Sequence, residues 1–185
     1  MRLEPLQPEH VAPLYRIALK TPDEYRFTST PVTEAQREVY FAKVFAERDA
    51  GRSFPFVMLH GGEIVGTTRL ADYSATERNC ELGYTWFDAA YFGTAVNTDS
   101  KLLMLTFALE TLDVLRVQLT VDARNERSQA SIKALGGVFE GVLRSHKVVK
   151  DGFVRDTLVF SILATEWASV KKRLQARLDK KLSEA

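Results

Sequence analysis

The chain has 185 residues, 45% hydrophobic and 26% charged, with a net charge of +1. That length and mixture suit one globular domain, residues 1–185, able to bury a sizeable core, and the near balance of charge gives no support to a general nucleic-acid binder. A single cysteine, Cys80, excludes an internal disulfide, no run of about eighteen apolar residues predicts a membrane span, and the opening MRLEPLQPEH lacks an apolar signal core, so a cytoplasmic protein is expected.

In chain order, Arg2 to Leu6 alternates as a short strand. Gln7-Pro8-Glu9-His10 then reads as a helix start with proline in the first turn. Val11, Leu14, Ile17 and Leu19 give that helix an apolar stripe, and Pro22 ends it. Thr33-Glu34-Ala35-Gln36 has the form of a capping box, opening a second helix through Tyr40, Phe41, Val44 and Phe45 that stops before Gly51. Ser53 to Leu59 is a strand, turned at Gly61-Gly62 into Glu63 to Ala71. A polar stretch from Asp72 to Asn79 precedes the strand CELGYTWF. The turn YFGTAVNT and the helix DSKLLMLTFALETLD follow, with Asn97, Thr98 and Asp99 as residues suited to a helix start.

The strand VLRVQLTV opens directly into DARNERSQASIKALGG, a short helix with Gly136 placed to end it. Val138 to Lys150 and Phe153 to Ala164 are strands joined at Asp151-Gly152, a two-residue hairpin signal. The tail 165–185 carries Trp167, Val170, Leu174, Leu178 and Leu182 at helical spacing, with Lys171, Lys172, Arg173, Arg177, Lys180 and Lys181 on its other faces. The order β-α-α-β-β-β-α-β-α-β-β-α describes a mixed α/β sheet with helices packed on it.

Two strands run into helix amino termini between Cys80 and Gly137. Such ends present unpaired N–H groups and the positive end of a helix dipole, which attract phosphate. Their pairing predicts a ligand with several phosphates.

On these residues the chain resembles the GNAT superfamily of N-acetyltransferases, in particular the Rim-type branch that acetylates ribosomal-protein amino termini. The resemblance rests on LEPLQPEHVAPL, ELGYTWF, FGTAVN and NERSQASIKALGGVFEGVLR. It implies a twisted, mostly antiparallel sheet splayed between its fourth and fifth strands to admit acetyl-CoA. The backbone of Gly93, Thr94, Ala95, Val96, Asn97 and Thr98 would then hold the CoA pyrophosphate. Relatives carry Arg/Gln-Gly-x-Gly-x-Gly/Ala here, whereas this chain keeps only Gly93 and has Phe92 before it and Ala95 after it. Main-chain groups of Tyr84, Thr85, Trp86 and Phe87 would pair with the pantetheine arm, and Asn125 would hydrogen-bond it. Arg124, Arg127 and Lys133 are candidates for the terminal phosphates.

The chemistry asks an amine to lose a proton and attack a thioester. An amine with a pKa near 8 is partly neutral already, so a carboxylate acting through a water suffices. Glu81 matches the acidic position that relatives use, and backbone N–H groups at a strand bulge would meet the oxyanion. Relatives often place a tyrosine acid on the helix after the asparagine, where this chain has Ile132, so Ser128 or solvent would protonate the thiolate. The resemblance also implies an acidic residue before the final hairpin, where Lys147 stands.

Other residues offer less. His10, His60 and His146 lack metal-ligand spacing, so no metal is expected, and Cys80 has no CxxC partner. Glu24-Tyr25-Arg26-Phe27 sits where relatives shape the acceptor pocket, and Trp86, Phe87, Tyr91 and Phe92 could line it or belong to the core. The expected activity is acetyl transfer from acetyl-CoA to a primary amine, read first as a protein amino terminus and second as a small amine or antibiotic, by a monomer or homodimer. A non-catalytic acyl-CoA-binding module is the alternative from another class. A different phosphate-binding α/β protein comes third, with no GxxxxGK[ST] loop to suggest nucleotide hydrolysis.

Overall fold

Strand alternation and helical spacing sort the apolar residues onto the two faces of one sheet and the inner stripes of the helices covering it. The computed structural model describes residues 1–149 and 152–184. Its elements are β1 Arg2–Pro5, α1 Val11–Lys20, α2 Glu34–Asp49, β2 Phe54–His60, β3 Glu63–Ser74, β4 Asn79–Phe87, α3 Ala95–Thr106, β5 Arg116–Asp122, α4 Glu126–Leu135, β6 Val138–Val148, β7 Val154–Leu163 and α5 Trp167–Ser183. This is the expected order. The sheet runs β1-β2-β3-β4-β5-β7-β6, antiparallel except for the parallel pair β4 and β5.

On one face α1 and α2 bury Leu14, Ile17, Phe41 and Val44 against Leu6, Val57 and Trp86. On the other, α3, α4 and α5 pack on Leu70, Cys80, Leu82, Phe160 and Ile162. Within α1 it is Ala18, not the expected Leu19, that joins the core: Leu19 is 46% exposed. The cap of α2 forms with Thr33 Oγ1 accepting from Gln36 N at 3.3 Å. Gln36 Oε1 accepts from Val32 N rather than from Thr33. Along α5, Trp167, Val170, Leu174 and Leu178 are buried, while Leu182 ends the stripe in solvent.

Two expected boundaries move. Helix α3 begins at Ala95, capped by Thr94, whose Oγ1 accepts from Val96 N, so Asn97, Thr98 and Asp99 lie inside the helix. Thr98 is buried there and Asn97 Nδ2 donates to Ser131 Oγ at 3.1 Å on α4. Of the side chains that would have suited a later start, Asn97 is used on α4, and Asp99 holds the Met1 amino terminus at 3.0 Å. At the final hairpin the ladder reaches Val148↔Val154, and Val149 N donates to Phe153 O. Gly152 takes a φ of +79°, while Asp151, the other half of the expected turn, lies outside the described residues.

The decisive feature is in the middle of the sheet. Strands β4 and β5 pair only at Asn79↔Arg116, Cys80↔Val117 and Glu81↔Gln118. Beyond that rung β5 stays with β7 as far as Asp122↔Thr157, and β4 stays with β3. A bulge in β4, between the pairs Thr67↔Trp86 and Arg69↔Gly83, puts Tyr84 at a φ of +51°. It turns the strand over: Cys80 and Leu82 face α3 and α5, whereas Trp86 faces α1 and α2. Just beyond the bulge, at the pair Gly66↔Phe87, only glycine fits at residue 66, because a Cβ there would lie 2.3 Å from Phe87 Cβ.

Candidate functional site

Glu81 occupies the last shared rung of β4 and β5, where the strands begin to part. Buried carboxylates need partners. Thr120 Oγ1 donates to its Oε1 at 2.9 Å and Gln118 Nε2 to its Oε2 at 3.4 Å. A cleft of about 110 Å³ beside it is lined by Asp72, Asn79, Cys80, Arg116 and Gln118. Burial, and then the Glu81 charge, push the Cys80 thiol up to about 12, so it is a protonated spectator. The same two causes raise the Tyr84 hydroxyl, whose ring lies 3.7 Å from the Arg69 guanidinium.

Past Glu81 the edge of β4 that faces the gap, from Leu82 to Phe87, has no strand beside it among the described residues. Its far end leads through a turn at Ala89–Tyr91 into Phe92 and Gly93. Gly93 has a φ of +81° with open space where a Cβ would be. Ala95, Val96, Asn97 and Thr98 form the first turn of a right-handed helix, so Ala95 needs no special backbone conformation. Helix geometry leaves first-turn amides without intrahelical acceptors. Thr94 Oγ1 takes that of Val96.

Across the gap, Asn125 is the N-cap of α4, its Oδ1 accepting from Ser128 N at 3.1 Å. Among the described residues its Nδ2 has no hydrogen-bond acceptor. Ser128 is half-buried in the first turn, and Ile132, in the relatives' tyrosine position, is a core residue. The three basic candidates differ in their commitments. Arg124 grips Asp122 with two hydrogen bonds, at 3.0 and 2.8 Å, and stacks on Phe153. Burial raises the Asp122 carboxyl, but this grip and the Arg124 backbone N–H outweigh it and leave the group below the usual carboxylate range. Arg127 pairs with Glu24 and lies 4.2 Å over the Phe92 ring. Lys133 is exposed.

The loop between α1 and α2 joins the two sides. Tyr25 OH donates to Phe87 O at 2.7 Å, Glu24 meets Arg127, and Phe27 packs under Arg124. The expected acceptor-shaping segment therefore bridges β4 and α4. On the hairpin, Ser145 has a φ of +49° and His146 Nδ1 lies 3.0 Å from the buried Thr157 Oγ1. Burial, then Lys147 and Arg155, hold that ring below the usual histidine range, with the Glu81 charge opposing them. A shallow hollow of about 830 Å³ lined by Val142 to His146 and Asp156 runs along the same kink.

Lys101 is the residue that sequence reasoning passed over. Buried in α3, it reaches Thr85 Oγ1 at 2.5 Å, and Thr85 in turn meets Thr68 Oγ1 at 2.7 Å. Burial lowers its ammonium from 10.5 to about 7. The signal was a lysine beside Leu102, Met104 and Leu105, interrupting an otherwise apolar face.

Residues 1–138 match the family model described as acetyltransferase (GNAT) domain. A Bacillus subtilis (strain 168) protein, YdaF, provisionally named a ribosomal N-acetyltransferase, is 29% identical over 114 residues, covering 62% of this chain and 61% of that protein. An acetyltransferase from T. thermophilus, also provisionally named, superposes with a TM-score of 0.84 at 38% identity, covering 96% of this chain and 93% of that one. Mycobacterium smegmatis RimJ, solved in complex with CoA-disulfide, gives 0.82 at 25% identity, covering 95% of this chain and 88% of that one.

Proposed function

The chain belongs to the GNAT acetyltransferase family, and from that premise we propose that it transfers an acetyl group from acetyl-CoA to a primary amine, with a protein amino terminus as acceptor. One observation carries the reading: β4 and β5 separate immediately after Glu81↔Gln118, leaving an unpaired strand edge that leads to a glycine turn and a helix amino terminus. The acceptor choice is supported by kinship with YdaF, provisionally named a ribosomal N-acetyltransferase, and the donor by likeness to RimJ, solved with CoA-disulfide.

The residues present fit the donor. The gap-side edge of β4 from Tyr84 to Phe87 has no strand beside it among the described residues and suits the amides of a pantetheine arm, as an added strand would, although the Phe87 carbonyl already accepts from Tyr25. The amide-rich turn from Gly93 to Thr98 suits a diphosphate, although the Thr94 amide already bonds Tyr91 O and that of Val96 bonds Thr94 Oγ1. Asn125 Nδ2 is available to an acceptor because its Oδ1 already serves the cap. Lys133 suits the nucleotide phosphate, whereas Arg127 would first leave Glu24 and Arg124 stays with Asp122.

When bound, acetyl-CoA supplies the activated acetyl group. Glu81 takes the proton of the attacking amine, directly or through a water, while Thr120 and Gln118 hold its carboxylate. Backbone N–H groups at the Tyr84 bulge stabilise negative charge on the reacting oxygen. A thiol with a pKa near 8.5 leaves with little help, so a proton from Ser128 or solvent is enough.

The test is thiol release from acetyl-CoA in the presence of a peptide with a free α-amine, the same peptide with that amine blocked, and a small polyamine. Turnover confined to the free-amine peptide is expected. Turnover on the polyamine alone would move the acceptor to small amines, and CoA binding without any turnover would leave a binding module.

A further inference from the structure

The turn that begins α3 lacks the basic or amide side chain that the family resemblance implies before its glycine: Phe92 stands there. A cation nevertheless reaches the turn from the far end of the chain. Lys181 Nζ donates to Gly93 O and, at 2.9 Å, to Thr94 O. Its delivery follows from the packing of α5. Trp167 Nε1 and Lys171 Nζ at the start of that helix both bond Glu110, just beyond α3, whereas Lys181 near its end meets the beginning of α3. The two helices therefore run antiparallel. Lys181 follows the buried Leu178 by three residues and so lies on the face that packs.

We propose that Lys181 is a positioning residue for the diphosphate of acetyl-CoA, a role that rests on the donor reading above. A trans peptide points its N–H opposite to its C=O. Fixing the Thr94 carbonyl on Lys181 therefore aims the Ala95 N–H away from α5, to the side where an anion can lie. The ammonium also leaves a fixed positive charge behind a turn that otherwise offers only dipoles. Burial and then Arg177 lower the Lys181 ammonium from its ordinary value, and a dianion near the turn offsets that cost. No local feature of the tail distinguishes this lysine from Lys171, Lys172 or Lys180.

The experiment is calorimetric titration of wild type, Lys181→Met and Lys181→Arg with CoA, and with pantetheine, which lacks the diphosphate and nucleotide, by competition. Lys181→Met is expected to weaken CoA by roughly tenfold, to leave pantetheine unchanged, and to keep the melting temperature of the free protein. Lys181→Arg should restore most of the loss. Unchanged CoA affinity in Lys181→Met, or an equal loss for pantetheine, overturns the role. Failure of wild type to bind CoA overturns the donor reading itself, which separates the two outcomes.

Discussion

Glu81 faces Gln118 across the last rung that β4 and β5 share, and Gln118 and Thr120 both donate to its carboxylate as the strands part. A carboxylate at the apex of an opening in a sheet is placed to receive a proton from whatever enters from the open side. Glu81→Gln should slow acetyl transfer about ten- to a hundredfold at neutral pH. The loss should shrink as pH rises past the acceptor amine's own pKa near 8, because the amine then arrives deprotonated. A rate deficit constant from pH 7 to 10 would remove Glu81 as the base.

Lys101 makes stability depend on pH. Its folded pKa, about 7, lies below the ordinary 10.5. Between those values the unfolded chain holds a proton that the folded chain lacks, so stability rises with pH across that window. Below about 7 both states are protonated and the full cost of a buried ammonium is present. Lys101→Met should therefore be more stable than wild type at pH 6, and the difference should shrink on the order of 5 kcal/mol by pH 10.5. Denaturant titrations at constant m-value would check this; a difference independent of pH would refute it.

Gly93→Val places a branched side chain at a φ of +81°, with a fold cost of about 1–2 kcal/mol. The space around residue 93 is open, so the chain should still fold, as circular dichroism would report. CoA binding should be lost, since the side chain occupies the approach to the turn. Retained affinity would place the phosphates elsewhere.

Gly66→Ala tests the bulge from its other side. The new Cβ would meet Phe87 Cβ at 2.3 Å and Trp86 O at 2.6 Å, both on the strand itself, so β4 must shift. A destabilisation of about 1–3 kcal/mol is expected, with a larger loss in turnover than in thermal stability. Normal turnover in this variant would mean that the bulge geometry is immaterial.

Much of this was legible in the residues because local signals agreed with one another. Gly61-Gly62, Thr33 through Gln36 and the stripe from Trp167 are three such signals, and others of the same kind along the chain completed the order of all twelve elements. Boundaries failed where several residues offered the same signal: Thr94, Asn97, Thr98 and Asp99 can all start a helix, and it is Thr94 that caps it while Asn97 bonds Ser131. Glu81 and Asn125 were singled out through motif resemblance. Lys181 was not, because its partner lies 88 residues away, and Lys101 was hidden inside an apolar helix face. The pairing of Arg127 with Glu24 was equally invisible, since it joins loops far apart in sequence.

Hydrogen–deuterium exchange with and without saturating CoA tests the central claim most directly, by reading the amides of β4 and of the α3 turn. Slowed exchange is expected from Tyr84 to Phe87 and from Gly93 to Thr98, with little change at Asn79 to Glu81, where β5 already pairs. Tight CoA binding that leaves the first two segments exchanging as before would contradict the account.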